Sequence, residues 1–202
     1  LHPVNRRQRQ MCIRDSRIVA GTYIIAALML NSALEINNFN TIYLKSLIDV
    51  LKKMGAKLKV SKNSIKVSKG SKLKSTSLST SPYPGFPTDL QAQLMSLMCI
   101  SDGKSKIKET IFENRFMHVP ELNRLGANIT VEKDTATIIG NQTFKGAQVM
   151  ASDLRASISL VLAAMNANGQ TTLNRVYHLD RGYENIEKTL GSLGAKIKRQ
   201  KN

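Results

Sequence analysis

Apolar residues concentrate in three long blocks, and each block has the pattern of a helix buried on nearly every side. The blocks cover residues 21–31, 89–101 and 153–168 and contain almost no charged side chains after the first turn. A helix that is apolar nearly all round belongs inside a domain. The pattern therefore predicts three core helices, two of which begin with the same sequence, Ser/Thr-Asp-Leu-x-Ala, at Asp89 and Asp153.

The same series of elements comes after each core helix, which indicates an internal repeat. A short β-prone segment is next, over residues 33–39, 106–112 and 171–179. An amphipathic helix then covers residues 41–55, 117–126 and 183–194, and a Gly-Ala pair closes each one. Glycine suits the left-handed position at the end of a helix, so Gly55, Gly126 and Gly194 are expected to end these helices.

After the first two Gly-Ala pairs the apolar pattern changes to a period of two, which predicts a β-hairpin. Residues 57–67 are expected to form the first hairpin and 129–139 the second, while the third unit reaches Ile197 and its hairpin is interpreted as missing or truncated. Further strands are expected at 73–79 and 147–150. The chain is therefore predicted to be a pseudo-threefold α/β protein, helices inside and sheets outside, with repeats at about 17–70, 71–140 and 141–202.

The charge of the chain favours an anionic partner, because 30 Lys and Arg residues against 14 Asp and Glu give a formal net charge of +16. Nucleic acid, a phosphorylated metabolite and a membrane surface all fit. A nucleic-acid-binding module would interleave its basic residues with stacking aromatics, but aromatic residues are only 5% of this chain. The lysines along the first hairpin are therefore interpreted as a solvated face, and a basic nucleic-acid-binding module is kept as an alternative from another class.

The two cysteines, Cys12 and Cys99, have no metal-ligand spacing, so neither a disulfide scaffold nor a metal site is expected. No apolar run approaches the roughly 20 residues that span a bilayer, and a cytoplasmic location is expected. The arginines before residue 18 and the apolar run after it also resemble a secretory signal. A core helix is favoured for residues 18–30, because the segment after residue 30 matches the repeat. Residues 1–16 are interpreted as a non-native or disordered leader.

Acidic and basic residues recur at the ends of the predicted elements. Asp89 and Asp153 begin core helices, while Arg115 and Arg181 lie in loops between the middle strand and the second helix of their units. An arginine beside a helix N-terminus makes a site for phosphate or carboxylate groups, and a nearby aspartate could take a proton from a hydroxyl. The same aspartates fit ordinary helix N-caps equally well, so spacing alone leaves capping and catalysis open.

Four stretches resemble the enolpyruvyl transferase superfamily, and within it the UDP-N-acetylglucosamine 1-carboxyvinyltransferase branch. They read FPTDLQAQ (86–93), ETIFENRFMHVPEL (109–122), GAQVMASDLRA (146–156) and YHLDRGYE (177–184), and the similarity covers the chain from about residue 17 onward. The resemblance implies a pseudo-threefold inside-out α/β barrel of βαβαββ repeats, incomplete in this chain. The 109–122 stretch favours this branch over the related 3-phosphoshikimate 1-carboxyvinyltransferases, which are kept as an alternative.

The resemblance also implies a reaction. The family transfers the enolpyruvyl group of phosphoenolpyruvate to the 3-hydroxyl of UDP-N-acetylglucosamine, the first committed step of peptidoglycan synthesis, and uses no metal or organic cofactor. Carried over by motif, Asp89 resembles the acid that holds the sugar hydroxyl and is a candidate for its deprotonation. Asp153 matches an acid close to the reacting carbon, with Arg155 as its neighbour in the site.

The resemblance assigns substrate-binding roles to four further residues. Ile111 and Phe112 fall where the family binds the uridine nucleotide, and Arg115 and Arg181 match arginines that face the anionic substrates. Arg181 is expected to hold phosphoenolpyruvate. The family's lysine-asparagine pair and its proton-donating cysteine belong to an N-terminal domain that has no counterpart in this sequence. The chain by itself is therefore expected to show little or no turnover.

Overall fold

The computed structural model describes residues 17–200, and these residues form three successive units. The first contains α1 (Arg17–Met29), β1 (Leu34–Asn37), α2 (Lys45–Lys53), β2 (Leu58–Ser61) and β3 (Ser64–Val67). The second contains β4 (Ser77–Ser79), α3 (Gln91–Ile100), β5 (Lys104–Lys108), α4 (Val119–Arg124), β6 (Asn128–Glu132) and β7 (Thr135–Ile139). The third contains β8 (Gln148–Met150), α5 (Leu154–Ala164), β9 (Thr172–Asn174), α6 (Tyr177–Asp180) and α7 (Ile186–Ser192). The leader predicted for residues 1–16 lies outside the described residues.

The strand pairing repeats from one unit to the next. In the second unit the sheet order is β4-β5-β7-β6, with β4 parallel to β5 and the other pairs antiparallel. The first unit reproduces the last three positions as β1-β3-β2, and the third unit reproduces the parallel pair as β8-β9. The second unit is thus a complete βαβαββ repeat, which confirms the predicted α/β repeat architecture.

The three helices α1, α3 and α5 form the centre of the core, as the apolar blocks predict. Residues 20–29 of α1, residues 91–99 of α3 and residues 156–163 of α5 are all buried, and α3 packs against both other helices. The burial of α1 fits the core helix favoured by the sequence. Among residues 17–200, no helix is both long enough and apolar enough to cross a bilayer.

The Gly-Ala pairs end their helices in the predicted conformation. Gly55, Gly126 and Gly194 have φ values of 96°, 99° and 105°, in the left-handed region where a side chain would be strained. The alanine after each glycine donates its N–H to the carbonyl five residues earlier, at 2.9, 3.0 and 3.1 Å. This 6→1 bond satisfies a carbonyl that the end of the helix would otherwise leave free.

Two predicted strands are shorter than the sequence suggests. The strand predicted over 171–179 ends at Asn174, because Arg175 has a φ of 59° and the chain then forms α6. The strand predicted over 106–112 ends at Lys108, because the next side chain, Glu109, accepts hydrogen bonds from the backbone amides of residues 111 and 112. Local turns therefore replace strand pairing just where the candidate loops begin.

Candidate functional site

Asp89 lies in a short 3-10 turn, Thr88–Leu90, that leads into α3. The turn is preceded by Pro87, which makes no side-chain cap, so the capping alternative does not describe Asp89. Its Oδ1 instead accepts a hydrogen bond from Arg155 Nε at 2.5 Å, and Arg155 Nη2 lies 2.5 Å from the same oxygen. This ion pair joins the second unit to the third at the ends of their core helices.

Asp153 is the N-cap of α5, so the capping alternative holds here. Its Oδ1 accepts from the backbone amides of Arg155 at 2.7 Å and Ala156 at 3.0 Å. Within residues 17–200, its Oδ2 accepts no hydrogen bond. The cap fixes the first turn of α5 and thereby the base of the Arg155 side chain that reaches Asp89.

His118 lies buried where the loop carrying Arg115 meets the start of α5. Burial lowers the pKa of its imidazole to about 4, and the negative charge of Asp153 and a hydrogen bond to the Arg115 backbone only partly oppose that shift. The imidazole is therefore neutral at pH 7. Its Nε2 is buried without a hydrogen-bond partner among the residues that the structure describes. The sequence offered no signal for this placement beyond the position of His118 beside the FENRF motif.

Arg115 and Phe112 stack on one another in the loop between β5 and α4. The guanidinium carbon of Arg115 lies 4.3 Å from the centroid of the Phe112 ring, within the range of a cation–π contact. The ring is 54% exposed, which is unusual for phenylalanine and leaves one face open to solvent. Ile111, next to it, is half-buried. An exposed aromatic side chain beside a cation can bind a ligand that has both a planar ring and an anionic group.

Arg181 is exposed, directly after α6, in a loop that packs on α5. A Cβ atom placed on the next residue, Gly182, would lie 2.9 Å from Leu154 Cδ2, so the absence of a side chain allows this close approach. Leu154 is the first residue of α5. Arg181 makes no ion pair among the described residues and is free to meet an anion.

The start of α5 is thus the point around which the predicted site residues lie. Asp153 caps it, Arg155 reaches from it to Asp89, and the loops carrying Arg115 and Arg181 pack beside it through His118 and Gly182. Several guanidinium groups on segments that meet at one helix start favour anionic ligands, although Asp153 already occupies the first amides of α5. The structure therefore brings residues from two units together, with Ile111 and Phe112 reached through the Arg115 loop.

Cys99 lies inside α3, within the second apolar block of the sequence. It is buried, and that burial raises the pKa of the thiol to about 12. A thiol reacts mainly as its thiolate, so Cys99 has no chemical part in this site. Cys12 lies outside the described residues.

Sequence relatives place this chain in a known family. The family model described as EPSP synthase (3-phosphoshikimate 1-carboxyvinyltransferase) matches residues 1–190. A Pelagibacter ubique protein named UDP-N-acetylglucosamine 1-carboxyvinyltransferase is 51% identical over 195 residues, which are 96% of this chain and 47% of that protein. The Mesorhizobium japonicum protein named UDP-N-acetylglucosamine 1-carboxyvinyltransferase 2 is 52% identical over 93% of this chain and 45% of its own. The chain spans about half the length of these curated relatives.

Solved structures agree with this result. The enolpyruvyl transferase NikO from Streptomyces tendae superposes with a TM-score of 0.82 at 30% identity, over 90% of this chain and 43% of the other. EPSP synthase from Acinetobacter baumannii superposes with a TM-score of 0.71 at 16% identity, over 93% and 44%, which shows the fold alone. By family match, sequence identity and fold, this chain belongs to the EPSP synthase family of enolpyruvyl transferases.

Proposed function

We propose that this chain forms one half of an enzyme that transfers the enolpyruvyl group of phosphoenolpyruvate to the 3-hydroxyl of UDP-N-acetylglucosamine, in the cytoplasm, for peptidoglycan synthesis. Relatives of that name are about half identical to nearly the whole chain. The observation that carries the proposal is the contact between Asp89 and Arg155, which sets an acid and a cation side by side at the N-terminus of α5. The transfer needs both, because a hydroxyl must lose a proton next to anionic groups.

In the proposed reaction Asp89 holds the 3-hydroxyl of the sugar and accepts its proton. The hydroxyl oxygen forms a bond to C2 of phosphoenolpyruvate while C3 gains a proton. Phosphate then leaves C2 as C3 loses a proton, which restores the double bond. Arg155 holds the Asp89 carboxylate in one orientation, and a general base works only within hydrogen-bond reach of the proton that it takes.

The other candidate residues are proposed to bind the two anionic substrates. Arg181 holds the phosphate or carboxylate of phosphoenolpyruvate, since it is exposed and makes no ion pair among the described residues. Arg115 meets the diphosphate of the nucleotide, and Ile111 with the open face of Phe112 flanks the uracil ring. Asp153 lies near the reacting carbon, and its Oδ2 is free of hydrogen bonds within residues 17–200. The proton donor to C3 is proposed to lie on the other half of the enzyme.

Joining residues 17–202 to the amino-terminal half of the Pelagibacter ubique relative gives a completed enzyme that tests the proposal. Phosphate release should require both phosphoenolpyruvate and UDP-N-acetylglucosamine. Asp89→Asn should lower kcat by roughly 100-fold, because a general base contributes about that much or more. Asp49→Asn is the matched control, since Asp49 pairs with Lys45 on the surface of α2 and should leave kcat unchanged.

Two results would overturn the proposal. One is a folded completed enzyme that releases phosphate with shikimate 3-phosphate and not with the nucleotide sugar, which would support the family's other acceptor class. The second is robust turnover by the 202-residue chain alone, because the proposal places the proton donor elsewhere. A completed enzyme in which Asp89→Asn keeps full activity would remove the role given to Asp89.

A further inference from the structure

A buried carboxylate lies behind the candidate site, where none of the proposed roles uses it. Glu109 comes directly after strand β5 and is only 4% exposed. Its Oε1 accepts hydrogen bonds from Thr80 Oγ1 at 2.8 Å and from the Ile111 amide at 3.0 Å, and its Oε2 accepts from Thr88 Oγ1 at 2.8 Å. A buried carboxylate is tolerated only when donors satisfy its oxygens. Both oxygens of Glu109 are satisfied.

The donors to Glu109 come from three separate segments. Thr88 immediately precedes Asp89, so one oxygen holds the turn that carries the proposed base. The amides of Ile111 and Phe112, at 3.0 and 3.4 Å, belong to the proposed nucleotide-binding loop. Thr80, just after strand β4, completes the set. A single carboxylate therefore ties the base-bearing turn to the nucleotide-binding loop.

Other contacts also hold each segment. Asp89 in the turn pairs with Arg155 and its carbonyl accepts from Gln93 Nε2 at 2.9 Å, while Thr110, next to Ile111, is hydrogen-bonded to Thr80. None of these contacts joins the turn to the loop directly, as Glu109 does. The 3-10 turn at residues 88–90 has no side-chain N-cap. In the part of the chain that the structure describes, the amides of Ile111 and Phe112 donate to no acceptor other than Glu109. Without the carboxylate, the turn and the loop would lose the side chain that bonds to both of them.

We propose that Glu109 is a positioning residue that fixes Asp89 relative to the wall formed by Ile111 and Phe112, and so aligns the acceptor hydroxyl when the nucleotide is bound. The inference rests on the proposed function for the identity of the substrate. Glu109 touches no substrate in this role. It acts through Thr88 on the base and through the two amides on the nucleotide-binding loop.

Three variants separate this role from simple support of the fold. Glu109→Ala removes all the bonds. Glu109→Gln keeps an oxygen for Thr80 and Ile111 and turns an NH₂ group toward the Thr88 hydroxyl, which can accept, so it should rescue most of the function. Glu132→Ala is the matched control, because Glu132 is exposed at the end of strand β6, on a hairpin outside the candidate site.

The first measurement is amide hydrogen exchange in the 202-residue chain, which needs no substrate. Glu109→Ala should raise the exchange rates of the Ile111 and Phe112 amides by roughly tenfold or more, since each loses its acceptor. Glu109→Gln should keep protection at Ile111. Unchanged exchange at both amides in Glu109→Ala would overturn the placement of Glu109, whatever the enzyme's substrate proves to be.

The second measurement is steady-state kinetics in the completed enzyme. Glu109→Ala should raise KM for UDP-N-acetylglucosamine by roughly tenfold, because the nucleotide-binding loop loses the charge-assisted hydrogen bonds that hold it. KM for phosphoenolpyruvate should stay within about twofold of its original value. Thr88→Val, which keeps the carboxylate, should lower kcat and leave the nucleotide KM near its original value. Equal changes in both KM values, or a lower melting temperature with unchanged kinetics, would show that Glu109 only supports the fold. A completed enzyme that uses another acceptor defeats the proposed function but leaves the exchange result intact.

Discussion

The buried imidazole of His118 makes the stability of this chain depend on pH in a calculable way. Its pKa falls from the ordinary value of 6.5 to about 4 in the folded protein, chiefly because burial disfavours the charged form. The unfolded chain therefore binds a proton at a higher pH than the folded one. Stability contributed by the neutral imidazole is complete above pH 6.5 and is lost as the pH falls toward 4.

Those two pKa values set the size of the effect. Between pH 7.5 and pH 5 the linkage relation gives a loss of about 2 kcal/mol in the free energy of unfolding. The carboxylates of Asp134 and Asp180 contribute little to that difference, because hydrogen bonds from Thr135 and Arg199, respectively, lower their pKa values further below this window. A chain of this size should therefore lose roughly 4–8 °C in melting temperature over the same range.

Urea unfolding of the 202-residue chain at pH 7.5 and pH 5 measures this loss directly. His118→Asn should remove about 2 kcal/mol of the pH dependence, even where its absolute stability is lower. His178→Asn is the matched control, since His178 is only half-buried, and this variant should keep the original slope. Parallel pH profiles for the original chain and His118→Asn would refute the reasoning.

The contacts of the site and of the core lead to three further predictions. Arg155→Ala should lower kcat of the completed enzyme by roughly 100-fold, because the proposed base, Asp89, is then misplaced. The variant should lose about 1 kcal/mol or less of stability, because the ion pair is over a third exposed, and Lys45→Ala, which breaks a surface ion pair, is the control. Arg181→Ala should raise KM for phosphoenolpyruvate more than KM for the nucleotide sugar, and unchanged phosphoenolpyruvate kinetics would contradict its role. Tyr183→Phe should lower the melting temperature by roughly 2–4 °C, as expected for the loss of about 1 kcal/mol from its 2.8 Å hydrogen bond with Thr22, and differential scanning calorimetry measures this.

The repeat could be predicted from the sequence because it depends on local features that occur two or three times. Apolar blocks set the core helices, alternating residues set the hairpins, and a glycine at a left-handed position closes each amphipathic helix, as at Gly55 and Gly126. The lengths of strands β5 and β9 could not be predicted this way. Each ends where a local turn competes with the ladder, through the side chain of Glu109 or the positive φ of Arg175.

The candidate site was less accessible to sequence reasoning, because its geometry depends on contacts between units. Asp89 and Arg155 are 66 positions apart, and nothing in either motif indicates that they touch. Burial of His118 and Glu109 was also hidden, since histidine and glutamate are seldom fully buried and neither motif marks them as exceptions. Motif resemblance pointed to these loops, and the packing of α5 against its neighbours shows which side chains meet there.

The two copies of the Ser/Thr-Asp-Leu-x-Ala motif show how one repeated sequence serves two purposes. In the third unit Asp153 has an extended backbone, with φ of −153° and ψ of 179°, so its side chain folds back to cap α5. In the second unit the chain enters a 3-10 turn at Thr88, two motif positions earlier than helix α5 begins, and Asp89 lies within that turn and caps no amide. That carboxylate is left to pair with Arg155, whose position the Asp153 cap has fixed. The cap in one unit thus orients the acid of the other, which is why the site requires two units of the repeat.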